Sequence, residues 1–134
     1  MPIRFHPGRG AVLRCNYSTG GFMPPEMVKV RPAVVLCERP RRNKGLLTVV
    51  PLSTTAPTPQ MDYHCKVSVE DLPGFPVAEC WVKADMIATV AFHRLDMFRL
   101  GRCKETGKRQ YMKKFLSPED LEKVQECVRV ALGL

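Results

Sequence analysis

Arg31-Pro32-Ala33-Val34-Val35-Leu36 and Val49-Val50-Pro51-Leu52-Ser53-Thr54-Thr55 are the stretches on which the fold turns. Each is a run of strand-forming residues with polar chemistry at one end. Ala33 to Cys37 is nearly continuous in apolar residues, as for a strand buried on both faces. Asn43-Lys44-Gly45 suits a hairpin turn, after which Leu46 to Pro51 returns as the next strand. If the two strands pair, the Arg31 guanidinium and the Ser53 and Thr54 hydroxyls meet at one sheet end. Arginine grips phosphate through two parallel N–H bonds, and hydroxyls add donors. The plainer reading is a solvated arginine and hydroxyls that make a turn.

Outward from this pair the chain continues as short strands. Gly10 to Cys15 reads as a first strand. Asn16 to Val30 is a long irregular segment with Gly20-Gly21, Pro24-Pro25, Phe22, Met23 and Met27; it is either a functional loop or one plugged onto the core by Phe22 and Met27. Tyr63 to Val69 alternates, with His64, Lys66 and Ser68 on a wet face. Glu79 to Val82 and Asp85 to Val90 make one bent strand or two short ones, and Leu95 to Arg102 another. Ser117 is a good N-cap, Pro118 suits the first helical position, and Leu121, Val124, Val128, Ala131 and Leu132 recur at helical spacing. Many short strands and one terminal helix indicate a mainly β fold, a small twisted barrel or sandwich with a C-terminal α-helix. No Gly-rich phosphate loop or βαβ pattern is present, which argues against nucleotide-binding folds.

The length of 134 residues fits a single domain, 1–134, that needs neither disulfide nor metal to fold. Cys15, Cys37, Cys65, Cys80, Cys103 and Cys127 are spread without close pairs, so no metal site is expected. The first four lie in or beside strand-like runs and read as reduced core thiols. No leader and no membrane-length apolar run is seen, pointing to a cytoplasmic protein without a membrane partner. The net charge of +8 is concentrated in two blocks. One surrounds Arg39-Pro40-Arg41-Arg42-Asn43-Lys44; the other, residues 99–114, carries seven basic residues and one acidic. Together they are positioned to form one surface for a polyanion, nucleic acid being favoured because acidic residues are nearly absent from both, with Arg41, Arg42, Lys108 and Arg109 as the binding candidates. The competing reading is two charged hairpin loops kept for solubility.

A wider set of landmarks runs through the chain: Phe5-His6-Pro7 before Gly10, Cys15-Asn16, Pro24-Pro25-Glu26-Met27-Val28-Lys29, the two opening stretches, Trp81-Val82-Lys83-Ala84-Asp85-Met86-Ile87, and Ser117-Pro118-Glu119-Asp120-Leu121. In order and spacing they resemble the PemK/MazF toxins, especially the PemK-like branch. The resemblance implies an SH3-like small β-barrel that forms a homodimer. It implies a metal-independent, cofactor-free endoribonuclease that cuts single-stranded RNA at short sequences, and a cognate antitoxin that blocks it. By resemblance Arg31 falls on the catalytic arginine, Ser53 where many members have threonine with Thr54 beside it, Asp85 on an acidic residue of the RNA site, and Lys83 on a position basic in some members, which makes Lys83 an RNA-binding candidate beside Arg41, Arg42, Lys108 and Arg109. Lys83 departs from arginine and loses the bidentate fork. Asn16 and Tyr17 stand where one class has a histidine, and the 99–114 block is heavier than the family pattern.

Metal-free RNA cleavage uses the 2′-hydroxyl as nucleophile, so groups must take its proton, stabilise the phosphorane and help the 5′-oxygen leave. Arg31 suits the phosphate, and Ser53 and Thr54 suit a phosphate oxygen or the 2′-hydroxyl. Asp85 or Lys83 suits proton transfer, unless Asp85 simply pairs with Arg31 or Lys83. His6, His64 and His93 lie far apart in unlike contexts, which argues against a histidine pair. Trp81 reads as core before it reads as a base-stacking platform. Two other classes stand beside the ribonuclease: a non-catalytic nucleic-acid-binding module, and a gyrase poison on the related barrel, whose C-terminal Trp-Gly-Ile is not matched by Ala131-Leu132-Gly133-Leu134.

Overall fold

The computed structural model describes residues 1–40, 45–75 and 78–134. Arg41, Arg42 and the expected turn at Asn43-Lys44 lie outside them. The opening stretches form β2 (Val30–Val35) and β3 (Leu46–Ser53), which pair antiparallel with Ala33 opposite Pro51 and Val35 opposite Val49. β1 (Val12–Asn16) lies on the other side of β2, with Cys15 opposite Arg31. Alternation along these strands sorts their side chains into two cores. Val12, Val34, Val50 and Leu52 belong to one, with Val67, Val82, Phe98, Val124 and Cys127. Leu13, Cys15, Ala33, Val35, Leu47 and Val49 belong to the other, with Ile3, Tyr17, Val90 and Leu95. Burial on both faces is therefore what the continuous apolar run encodes, each large side chain contributing roughly 1.5–3 kcal/mol.

β3 takes partners along its whole length. On the side away from β2, its first half pairs with β6 (Ala88–Ala91), and its last residues pair with β5 (Glu79–Lys83). Pro51, which has no N–H to give, sits in the gap between those two ladders. A short 3₁₀ turn, Ala84–Met86, carries the chain from β5 to β6. β4 (His64–Ser68) extends the sheet beyond β5, and β7 (Leu95–Asp96) extends it beyond β1. The path β4-β5-β3-β2-β1-β7 is antiparallel and does not close on itself among the described residues. The expected strand from Leu95 to Arg102 is two strands. The chain changes partner at Met97: Leu95 pairs with β1, whereas β8 (Phe98–Arg102) pairs with β9 (Arg109–Met112) in a separate two-stranded ribbon.

The helix α1 spans Pro118–Leu132. The Ser117 hydroxyl accepts the Asp120 N–H at 3.1 Å, and Gly133, at φ 72°, closes the other end in the left-handed region. Leu121, Val124, Cys127, Val128 and Ala131 pack on the first core. Leu132, expected in that stripe, is instead exposed, and Cys127 takes part in its place. Asp120 also ties the helix to β4 by accepting the Ser68 N–H at 2.9 Å. Gly10 is required where helix and β1 approach: at φ 87°, a Cβ there would lie 3.1 Å from Leu121 Cδ2. Ser117→Ala should lower stability by about 1 kcal/mol, read as a shift of the urea midpoint; no shift would mean that the cap contributes nothing.

All six cysteines are free. Cys15 and Cys80 are buried as expected and so is Cys127, while Cys37 and Cys65 are only half-buried. Burial pushes the Cys15 thiol up to about 11 and, with Cys127 beside it, the Cys65 thiol up to about 12. Cys103, on the turn between β8 and β9, moves the other way because Thr106 hydrogen-bonds its sulfur. Limiting iodoacetamide at neutral pH should therefore label Cys103 before Cys15, Cys65 or Cys80, as read by peptide mass spectrometry. Equal labelling would contradict these environments.

Candidate active site

The end of β3 collects the polar residues singled out from the sequence. Ser53 lies opposite Trp81, Trp81 opposite Lys66, and Lys83 opposite His64, so these side chains share one face across three strands. The β2–β3 ladder ends at Ala33 opposite Pro51; Arg31 lies two residues before Ala33 on β2 and Ser53 two residues after Pro51 on β3, so both follow the same alternation. The inward positions of β5 are taken by Cys80 and Val82. This corrects the core reading of Trp81: it is half-buried and outward, with the Lys66 ammonium 5.1 Å from its ring centroid.

Ser53 is buried, and its Oγ accepts the Thr55 N–H at 3.1 Å. The turn and a donor role are thus compatible, because the hydroxyl proton remains free to donate. Thr54, the next residue, is exposed. Arg31 is half-buried, and its Nε is buried without a hydrogen-bond partner among the described residues. Among the described residues no carboxylate pairs with Arg31 or Lys83. The alternative in which Asp85 neutralises either of them is therefore not what the chain adopts. The Arg31 charge acts on Cys80 instead, pulling its thiol down against the larger upward push of burial.

Asp85 sits on the 3₁₀ turn after β5, and its Oδ1 is 4.0 Å from His64 Nε2. This contact was not readable from spacing. His64, expected on a wet face, keeps only 7% of its side chain exposed, leans on Tyr63 at 4.6 Å and accepts the Met61 N–H at Nδ1. That hydrogen bond places the proton of a neutral ring on Nε2, toward Asp85. His6 is tied elsewhere, accepting the Gly8 N–H at Nδ1 and facing Cys37 Sγ at 3.4 Å, and His93 is exposed in another turn. Asp85 also borders a cavity of about 360 Å³ with Glu26, Met27, Tyr17 and Phe22.

The loop after β1 is anchored on the core. Phe22 meets Tyr17 edge-on at 5.4 Å, and the Arg94 guanidinium lies 4.6 Å over the Phe22 ring. Arg94 also donates to the carbonyls of Asn16, Thr19 and Gly20. Of the RNA-binding candidates, Arg41 and Arg42 lie outside the described residues, and Lys108 and Arg109 are exposed at the far end of the β8–β9 ribbon. Arg109 stands directly opposite Arg102, an arrangement of like charges that a bound anion would relieve. Among the described residues no helix is long and apolar enough to cross a membrane.

The sequence profile of the PemK-like, MazF-like toxins of type II toxin–antitoxin systems matches residues 8–132. YifN of Escherichia coli strain K12 is 32% identical over 121 aligned residues, covering 76% of this chain and 80% of that protein. A Haemophilus influenzae protein is 29% identical over 99% of this chain and 95% of its own length. Among solved structures, MazF of Deinococcus radiodurans superposes with a TM-score of 0.64 at 17% identity, covering 97% of this chain and 99% of that one. An endoribonuclease solved in complex with its cognate antitoxin, from a mycobacterial species, gives a TM-score of 0.61 at 22% identity, covering 96% and 97%. The mainly β sheet with one C-terminal helix is thus the fold of these proteins.

Proposed function

Because this chain belongs to the PemK-like, MazF-like toxins of type II toxin–antitoxin systems, we propose that it is an endoribonuclease that cuts single-stranded messenger RNA at short sequences. The reaction is metal-independent and needs no cofactor: the 2′-hydroxyl attacks the adjacent phosphate. The observation that carries this reading is Arg31, which among the described residues has no carboxylate partner and a buried Nε without a hydrogen-bond partner, two residues before the Ala33–Pro51 pair on the strand beside the one that ends in buried Ser53. A guanidinium left without a carboxylate in a half-buried site is arranged for a phosphate. Arg31 clamps the phosphorane, and Ser53 with Thr54 holds a phosphate oxygen or the 2′-hydroxyl. Asp85, with Lys83 nearby in sequence, serves proton transfer. The mycobacterial structure, an endoribonuclease with its cognate antitoxin, supports the activity and the partner. The chain then acts as a single domain, 1–134, in a homodimer in the cytoplasm, held inactive by its own antitoxin and arresting growth when released.

The test is incubation of a labelled single-stranded RNA with the protein in EDTA. Cleavage supports the reading. Retention without cleavage would make the chain a binding module, and inhibition of supercoiling by gyrase would make it a gyrase poison. Charge reversal of Arg41, Arg42, Lys108 and Arg109 to Glu should weaken RNA binding without unfolding the chain. Wild-type affinity should fall steeply between about 50 and 200 mM salt through counterion release. Affinity that does not respond to salt would remove the basic blocks from the interface.

A further inference from the structure

The ends of the two basic blocks meet at a place the active site does not use. Arg39 from the first block and Lys113 and Lys114 from the second line one cavity of about 220 Å³. The rest of its lining is largely apolar, with Phe5, Met97, Met112 and Phe115 the large members, and among the described residues no carboxylate lines it. Among the described residues none of the three cations forms an ion pair. Arg39 donates to the Pro7 carbonyl at 3.5 Å. Phe5 and Phe115 stay 49% and 50% exposed. The backbone fixes this arrangement. Phe115 bridges to Ala11, the Lys114 carbonyl accepts the Val12 N–H at 2.9 Å, and the Ile3 N–H donates to Leu95 at 2.9 Å. Phe5 and Met97 also wall an adjoining cavity of about 250 Å³, which Arg4 and Tyr111 help to complete.

Exposed rings beside unneutralised cations are the ingredients of a single-strand platform: a base stacks on a ring face, and its phosphate goes to the charge. An acidic peptide would satisfy the charge locally. Here the positive charge continues away from the cavity along the ribbon, through Arg109, Lys108, Lys104 and Arg102. A track of that kind suits a polyanion with charge at every unit. We propose that this cavity is a nucleotide-binding subsite for single-stranded RNA, with a base against Phe5 and Phe115 and its phosphate against Arg39, Lys113 and Lys114. The proposal rests on the reading that RNA is the substrate, and adds a second place at which the strand is held outside the cleavage site.

The experiment is fluorescence anisotropy of the full chain with a labelled 2′-O-methyl oligonucleotide, which has no free 2′-hydroxyl to attack. The double variant Phe5→Ala/Phe115→Ala should weaken binding about tenfold or more, as loss of base stacking does. Lys113→Gln/Lys114→Gln should weaken binding and flatten the slope of log affinity against log salt by about 1.4, at roughly 0.7 per cation on a single strand. Circular dichroism checks that each variant is folded, and if the phenylalanine pair is not, the lysine pair decides. Unchanged affinity in folded variants overturns the proposal. So does an aromatic-rich polyglutamate peptide that binds the wild type and is lost in these variants while RNA affinity stays fixed. A wild-type chain that cuts no RNA would defeat the cleavage reading alone, since the affinity difference is read without cleavage.

Discussion

Arg31→Ala should slow RNA cleavage by roughly 10²–10³, equivalent to about 2.7–4 kcal/mol of lost transition-state stabilisation, while the protein stays folded. The residue lies at the start of β2, outside both apolar cores, and among the described residues no carboxylate is left unpaired by its removal. Its circular dichroism spectrum and melting curve should therefore match the wild type. Arg31→Lys keeps the charge but loses the planar fork, so it should recover little of the rate. Expression of Arg31→Ala should no longer arrest growth. A folded Arg31→Ala that cuts at the wild-type rate would remove this residue from the reaction.

The second large effect belongs to the scaffold. Leu52 is fully buried and pairs with Val82 where β3 passes from β6 to β5. It packs in the core that also receives α1. Leu52→Ala removes buried methyl groups where strands on both sides limit collapse, so it should cost about 2–5 kcal/mol, measured by urea unfolding. A cost below about 1 kcal/mol would show that this core is loosely packed. Because Ser53 follows Leu52 directly, the same variant should also lower cleavage, through displacement of the hydroxyl rather than loss of any reacting group.

Local pattern carried the strands and the helix. Continuous apolar residues in β2 and β3 mark burial on both faces, and Ser117-Pro118 marks the start of α1. Neighbours brought together by register were not legible. His64 meets Asp85 only because β4 pairs with β5 and a 3₁₀ turn follows Lys83, and that turn, Ala84–Met86, has no glycine or proline to announce it. Trp81 is instructive in the other direction. Cys80 and Val82 flank it in the core, so simple alternation places it outward, against the core reading. Arg94 gave no signal, because its partners are three carbonyls of a loop more than seventy residues earlier. Arg39 and Lys113 carried the right charge, but which apolar residues would join them depended on the bridge between Phe115 and Ala11.

The central claim is that this chain cuts RNA with its own side chains and the substrate's 2′-hydroxyl. The most direct measurement is mass spectrometry of the products formed in EDTA from an RNA the protein cuts, beside the same strand carrying a 2′-deoxy residue at the cut position. The account predicts a 2′,3′-cyclic phosphate and a 5′-hydroxyl from the first and an intact second strand. Cleavage of the deoxy-substituted strand, or products with a 5′-phosphate, would contradict it.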